Sequence, residues 1–236
     1  MIKDLESIAA DMQELGLAAL ARVNSITLTY DKWTAVLAVL QTAHAMEILA
    51  KARIAQEHPL LLFDTYPEPK KDPTNCITSE LTLSQLSERG KTIEWSDLIK
   101  MLWVVADIKT INITKFSDFG KLRNAIQHFG IVPDKSISYL TSLEFVYNVI
   151  DPFIYECWGF YAIDYCQDYA PDCSADDNEL YWKYIKECLI QNEVHFHVSP
   201  TLIKYKEYWW TDDEAEYSKA YCEYMQSQLN EQISQI

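Results

Sequence analysis

Within KLRNAIQHFG, residues 121–130, three side chains of chemically useful types stand close together: Arg123, Asn124 and His128. An imidazole can take or give a proton near neutral pH. A forked guanidinium matches anionic oxygens, and a side-chain amide can hold either partner in place. At 100° per residue Asn124 and His128, four apart, share one side of a helix, with Arg123 on its flank. Phe119, Leu122, Ile126 and Phe129 collect on the other side, the expected core face. His128 is therefore expected to point outward. On spacing alone, a solvated polar face fits these residues as well as a working site does.

The elements that must carry these groups read as helices. Residues 3–22 form an amphipathic pattern through Leu5, Ile8, Met12, Leu15 and Ala19. After the β-branched break SITLTY, Asp31 can cap a second helix that runs to about Glu57 and stops before Pro59. It carries Trp33, Val36, Leu37, Leu40 and Ile48, while His44, Glu47 and Lys51 share another face. Four prolines mark 59–90 as a long connection with a short helical turn at LTLSQLSERG. The GKT at 90–92 lacks the glycine five residues earlier that a phosphate-cradling loop needs, since position 85 is Gln. A third helix starts near Ser96. The motif helix is expected to begin at Ser117 or Asp118 and to end at Gly130, ahead of Pro133. A further helix is expected over about 137–168, kinked at Pro152. Residues 179–236 are mostly helical in pattern, interrupted by the strand-like EVHFHVSP.

The composition supports an all-α chain: 236 residues, 49% hydrophobic, with only 5 Gly and 8 Pro. The N-terminus lacks the apolar core of a signal peptide. No stretch reaches the run of about 18 apolar residues that a bilayer crossing needs. A soluble, cytoplasmic protein without a membrane partner is the expectation. The six cysteines contain no CxxC pair, so idle thiols are expected in place of disulfides. His195 and His197 alternate near Cys188, but zinc sites usually show tighter ligand pairs, and no metal or cofactor is expected.

The net charge of −15 is unevenly spread. Residues 1–150 hold 15 Lys+Arg against 18 Asp+Glu, a balance of −3, and 151–236 hold 5 against 17, a balance of −12. Residues 109–135 carry five basic and two acidic residues, a local +3 around the motif. Eleven of the fifteen tyrosines fall after residue 150, so the C-terminal part reads as an acidic, tyrosine-rich layer or protein interface. A base-stacking platform would want basic neighbours.

Arg123 followed by Asn124, three residues and His128 resembles the R-x4–6-H signature of the HEPN family, the higher eukaryotes and prokaryotes nucleotide-binding domains. AHAMEILAKARIA at 43–55 resembles that family's earlier helix with its acidic and basic pair, here Glu47 and Lys51. The similarity covers about 30–165. It implies a HEPN-like helical bundle over 1–168, with 169–236 as a mostly helical extension packed on it. It further implies a metal-independent endoribonuclease acting as a homodimer, in bacterial toxin or antiphage-defence systems, with RNA as substrate and a regulatory protein or antitoxin as a further partner. The alternative within the same resemblance is an inactive HEPN dimer serving as scaffold or partner-binding subunit.

In that chemistry the 2′-hydroxyl of RNA attacks the adjacent phosphorus. Arg123, Asn124 and His128 would be the catalytic set, with Gln127, Lys121, Glu47 and Lys51 supporting or contacting substrate. For Glu47 and Lys51, an i, i+4 surface pair is the first reading and a site role the second. His44 reads as structural and His58 as a helix-end cap. The acidic residues of 170–236, among them Asp212, Asp213, Glu214 and Glu216, are expected either to restrain RNA binding or to form an inert solubilising layer.

Overall fold

The helix Lys32–Glu57 (α2) is the element on which the others rest. The computed structural model describes residues 5, 7–26, 32–74, 76–77, 81–130, 139–165, 189, 191–194 and 197. Over these the chain is all-α. The helices are α1 (Ile8–Ile26), α2, α3 (Leu83–Arg89), α4 (Trp95–Ala106), α5 (Ile113–Phe129), α6 (Tyr139–Phe145) and α7 (Asp151–Trp158). Two short strands, β1 (Phe63–Thr65) and β2 (Lys91–Thr92), pair antiparallel on either side of α3.

α2 packs against α1, α4, α5 and α6. Its sequence permits this because small residues surround it: Ala35, Ala38, Ala43, Ala45, Ala50, Ala52 and Ala55 are all buried, interleaved with Val39, Met46, Leu49 and Ile54. Alanine favours the helix and lets neighbours approach closely. At Gly16 of α1 an added Cβ would lie 2.7 Å from the Leu49 side chain, so that contact requires the missing side chain. Trp33 and Leu37, the stripe's N-terminal members, are exposed. By length and composition Trp33–Glu57 is apolar enough to cross a membrane, with a mean hydropathy of 1.3, which corrects the expectation that no stretch is. In the fold, 61% of that apolar window is buried against the other helices.

The helix boundaries differ from expectation in three places. α1 starts at Ile8 and runs to Ile26, into the β-branched segment, because Leu20 and Val23 in its last turns pack into the core. α5 starts a full turn before Ser117: Asn112 is the cap, its side-chain oxygen accepting the Lys115 N–H at 3.0 Å. That extra turn carries Phe116, which stacks on Trp95 at 4.2 Å and so offsets the cost of ordering it. The expected 137–168 helix is one helical run from Tyr139 to Trp158, changed in its middle and closed earlier than expected. A π turn, Val146–Ile150, precedes Pro152 and widens the backbone where proline cannot donate. Gly159 then closes α7 in the left-handed conformation, φ 69°.

After Gly159 the chain turns back over the core. Buried Asn24 donates to the carbonyls of Ala162 (3.0 Å) and Tyr165 (2.9 Å). Asp151, 1% exposed, accepts the backbone N–H of Ala162 at 2.8 Å and that of His197 at 2.9 Å. Its second oxygen also lies 2.8 Å from His197 Nδ1. His197 stacks on Tyr155, and Leu189 and Val194 join the same hydrophobic core as the bundle. His195, Cys188, Asp31, Pro133, the acidic cluster 212–216 and the rest of 198–236 lie outside the described residues.

The 59–90 connection is more structured than its prolines suggest. His58 caps a 3-10 turn, Pro59–Leu62, its ring nitrogen accepting the Leu60 N–H at 3.2 Å. Thr82 and Gln85 close a capping box at the start of α3. Lys91 and Thr92 of GKT are strand residues.

Candidate active site

α2 and α5 cross where Glu47 meets Arg123. Glu47 sits between the buried Met46 and Ile48, so the core fixes its backbone position. One carboxylate oxygen pairs with Lys51 Nζ at 2.7 Å, one turn along the same helix. The other lies 3.4 Å from Arg123 Nη2. Arg123 Nη1 in turn donates to Asn124 Oδ1 at 3.0 Å. These four residues form one chain of contacts, Lys51–Glu47–Arg123–Asn124. The Lys51, Glu47 and Arg123 side chains are 12%, 22% and 25% exposed, so the guanidinium is held at the protein surface yet shielded on one side.

The outward side of α5 lies where helical spacing puts it. Asn124, Gln127 and His128 are exposed, and Phe116, Phe119, Gly120 and Ile126 are buried. Phe119 stacks on Phe145 at 3.9 Å, which anchors α5 to α6. Phe129, expected on the core face, is instead 74% exposed. All four residues 127–130, the last turn of α5 and its closing glycine, are exposed. Gly130, at φ 60°, then terminates it as expected.

His128 therefore stands on a bare helix end. Its ring lies edge-on to Phe129, with centroids 6.4 Å apart. Arg123 and His128 are five residues apart, about 140° around the helix. The guanidinium reaches Glu47 on α2, and His128 is exposed. Asn124, expected to hold the imidazole or a phosphate oxygen, holds the guanidinium. Lys121 pairs with Asp118 at 2.7 Å on the exposed surface. Glu47 and Lys51 are thus more than a surface pair, since Glu47 connects the two helices. His44 is exposed and lies outside this chain of contacts.

Helical spacing does not reveal what lies alongside. α4 and α5 flank a groove of about 560 Å³ that reaches Asn124 at one end. Its apolar residues read in sequence as ordinary core. Among the described residues, no group of three His, Cys, Asp or Glu could hold a metal ion. Compared with protein-family models, curated proteins and solved structures, the chain matches none.

Proposed function

We propose that the chain is a metal-independent endoribonuclease of the HEPN type, working as a homodimer with its site composed from two copies. The observation that supports this reading best is the guanidinium held between Glu47 and Asn124, with the exposed His128 imidazole one helix turn beyond Asn124. Cleavage by the RNA's own 2′-hydroxyl needs one group to accept that proton and another to protonate the departing 5′-oxygen. One chain offers one motif histidine. Two copies facing across a twofold axis supply both, and an exposed helix end is the geometry such a pairing requires. His128 of one copy takes the 2′-hydroxyl proton as the oxygen attacks phosphorus. His128 of the other gives a proton to the 5′-oxygen as the P–O bond breaks. Arg123 bears on the non-bridging oxygens, where charge accumulates. The products are a 2′,3′-cyclic phosphate and a 5′-hydroxyl.

Such an activity suits a toxin or antiphage effector, in which a regulatory partner or antitoxin would restrain cleavage. A non-catalytic HEPN scaffold is the second reading. It draws on the net charge of −15, which repels RNA, and on Arg123 being already paired to a carboxylate. Incubating the purified chain with total RNA in EDTA separates the two. The first reading expects cleavage to cyclic-phosphate ends and a dimer by light scattering. Intact RNA at every protein concentration, or a monomer with and without RNA, sinks it.

A further inference from the structure

We propose that the groove between α4 and α5 is a base-binding subsite for single-stranded nucleic acid, leading into the Asn124–His128 end of the site. The proposal rests on the ribonuclease reading for its direction, but its binding chemistry stands on the groove's own residues.

On α5, Ile113, Ser117, Gly120, Lys121, Asn124 and His128 fall within about 100° of one another around the helix axis. They form one stripe about 22 Å long, at 1.5 Å per residue. The groove's α5 wall is the first part of that stripe, up to Asn124. His128 lies one turn beyond. A strand lying in the groove is therefore aimed at the imidazole by the helix itself.

The lining chemistry is that of a stacking surface with cationic edges. Trp95, Trp103 and Ile113 supply apolar walls, and Lys100 and Lys121 supply charge. Trp103 is 56% exposed and Ile113 67%, although both are large apolar residues. Exposure of that kind, gathered in one concavity, marks a place where something binds. Trp95 packs deepest: an added Cβ at Gly120 would lie 2.4 Å from its indole nitrogen, so only glycine lets that ring approach α5 this closely. Its partner ring, Phe116, is buried and holds it there. Trp103, by contrast, offers its surface to solvent.

Charge selects the occupant. Lys100 has no acidic partner among the described residues. Among the described residues Lys121 pairs with Asp118, both being well exposed, and Asp118 lies against a separate groove toward α6. A surface pair of that sort yields readily to a phosphate. The segment around it carries +3 in a chain of −15. Aromatic faces with flanking lysines suit bases and their backbone, and stacking tolerates any sequence. A duplex, whose bases are already stacked, cannot use Trp103.

The test uses the full chain carrying His128→Ala, so that binding is read without cleavage. Fluorescence anisotropy is measured with a labelled single-stranded RNA, the same sequence as single-stranded DNA, and the corresponding duplexes. The expected result is similar affinity for the RNA and DNA single strands and weaker binding to duplexes. Trp103→Ala should weaken single-strand binding about tenfold, and Lys100→Glu should weaken it and flatten its salt dependence. Circular dichroism and light scattering should be unchanged in both variants. Wild-type affinity in both overturns the proposal, as does the absence of any single-strand binding. Dissociation of an oligomer by Trp103→Ala overturns it too, assigning the groove to a second copy of the chain. DNA binding that depends on Trp103, in a chain that never cleaves RNA, leaves the subsite standing while the ribonuclease reading falls. Cleavage with no Trp103 or Lys100 dependence overturns the subsite and leaves the ribonuclease reading standing.

Discussion

Glu47 Oε2 stands 3.4 Å from Arg123 Nη2, joining two helices across 76 residues of sequence. The carboxylate is backed by Lys51, so it does not carry its charge alone, and it orients the guanidinium without needing to touch a substrate. If Arg123 bears on the phosphate, Glu47 positions it. Glu47→Gln should then lower cleavage about tenfold, by loosening the guanidinium's placement. Arg123→Lys should lose on the order of a hundredfold, since a point charge cannot replace the fork. Circular dichroism should show both folded. A Glu47→Gln chain with wild-type turnover would reduce Glu47 to a structural tie.

His128→Ala should abolish cleavage while changing stability by no more than about 0.5 kcal/mol, because the residue is exposed and its ring lies edge-on to exposed Phe129. Asn124→Ala should lower activity less. Thermal melts of the variants beside an RNA cleavage assay check this. A destabilised His128→Ala chain would mean that the histidine is structural.

Asp151 should be a stability residue. It is 1% exposed and gathers two backbone N–H groups and an imidazole nitrogen. Asp151→Ala leaves those groups unsatisfied in the core and should cost about 3 kcal/mol, read as a fall in melting temperature. His197→Ala should cost less, since its ring lies nearer the surface. Equal losses for the two would place the stability in the ring stacking on Tyr155.

Burial pushes the Cys157 thiol up to about 12, against the opposing pull of the Arg53 guanidinium. At pH 8 it is therefore protonated and shielded. Alkylation followed by peptide mapping should find exposed Cys76 modified and Cys157 protected until the fold opens. Because the folded thiol holds its proton above its ordinary 9.0, the stability linked to it is intact below about pH 9 and is lost as pH climbs toward 12. Labelling of native Cys157 as fast as Cys76 would contradict that burial.

Much of the scaffold is legible in the sequence because periodicity and punctuation agree. α2 stops before Pro59 and α5 stops at Gly130, both local effects of backbone chemistry. The outward set Asn124, Gln127 and His128 follows from the same period. Asn112 does not stand out as a cap because Ser117 and Asp118 are also cap types, and only Phe116 packing on Trp95 decides between them. Strands of three and two residues carry no alternation to detect. The π turn and the close at Gly159 depend on how α6 and α7 meet the core. The Glu47–Arg123 contact depends on the axial offset between two helices, which spacing within each helix does not contain. The groove stays hidden because Trp103 and Ile113 have the residue types of a core.

The alanine-lined α2 also bears on time. An element covered by helices on so many sides exchanges its amide hydrogens only when the whole domain opens, so its exchange rates should report global unfolding. Glu47 rides on that element, whereas His128 rides on the uncovered last turn of α5. On warming, the anchor of the guanidinium should persist until the protein melts, while the imidazole's end of the helix loosens earlier. Activity should then decline below the melting temperature, and a second copy or a bound strand that covers this last turn should close the gap.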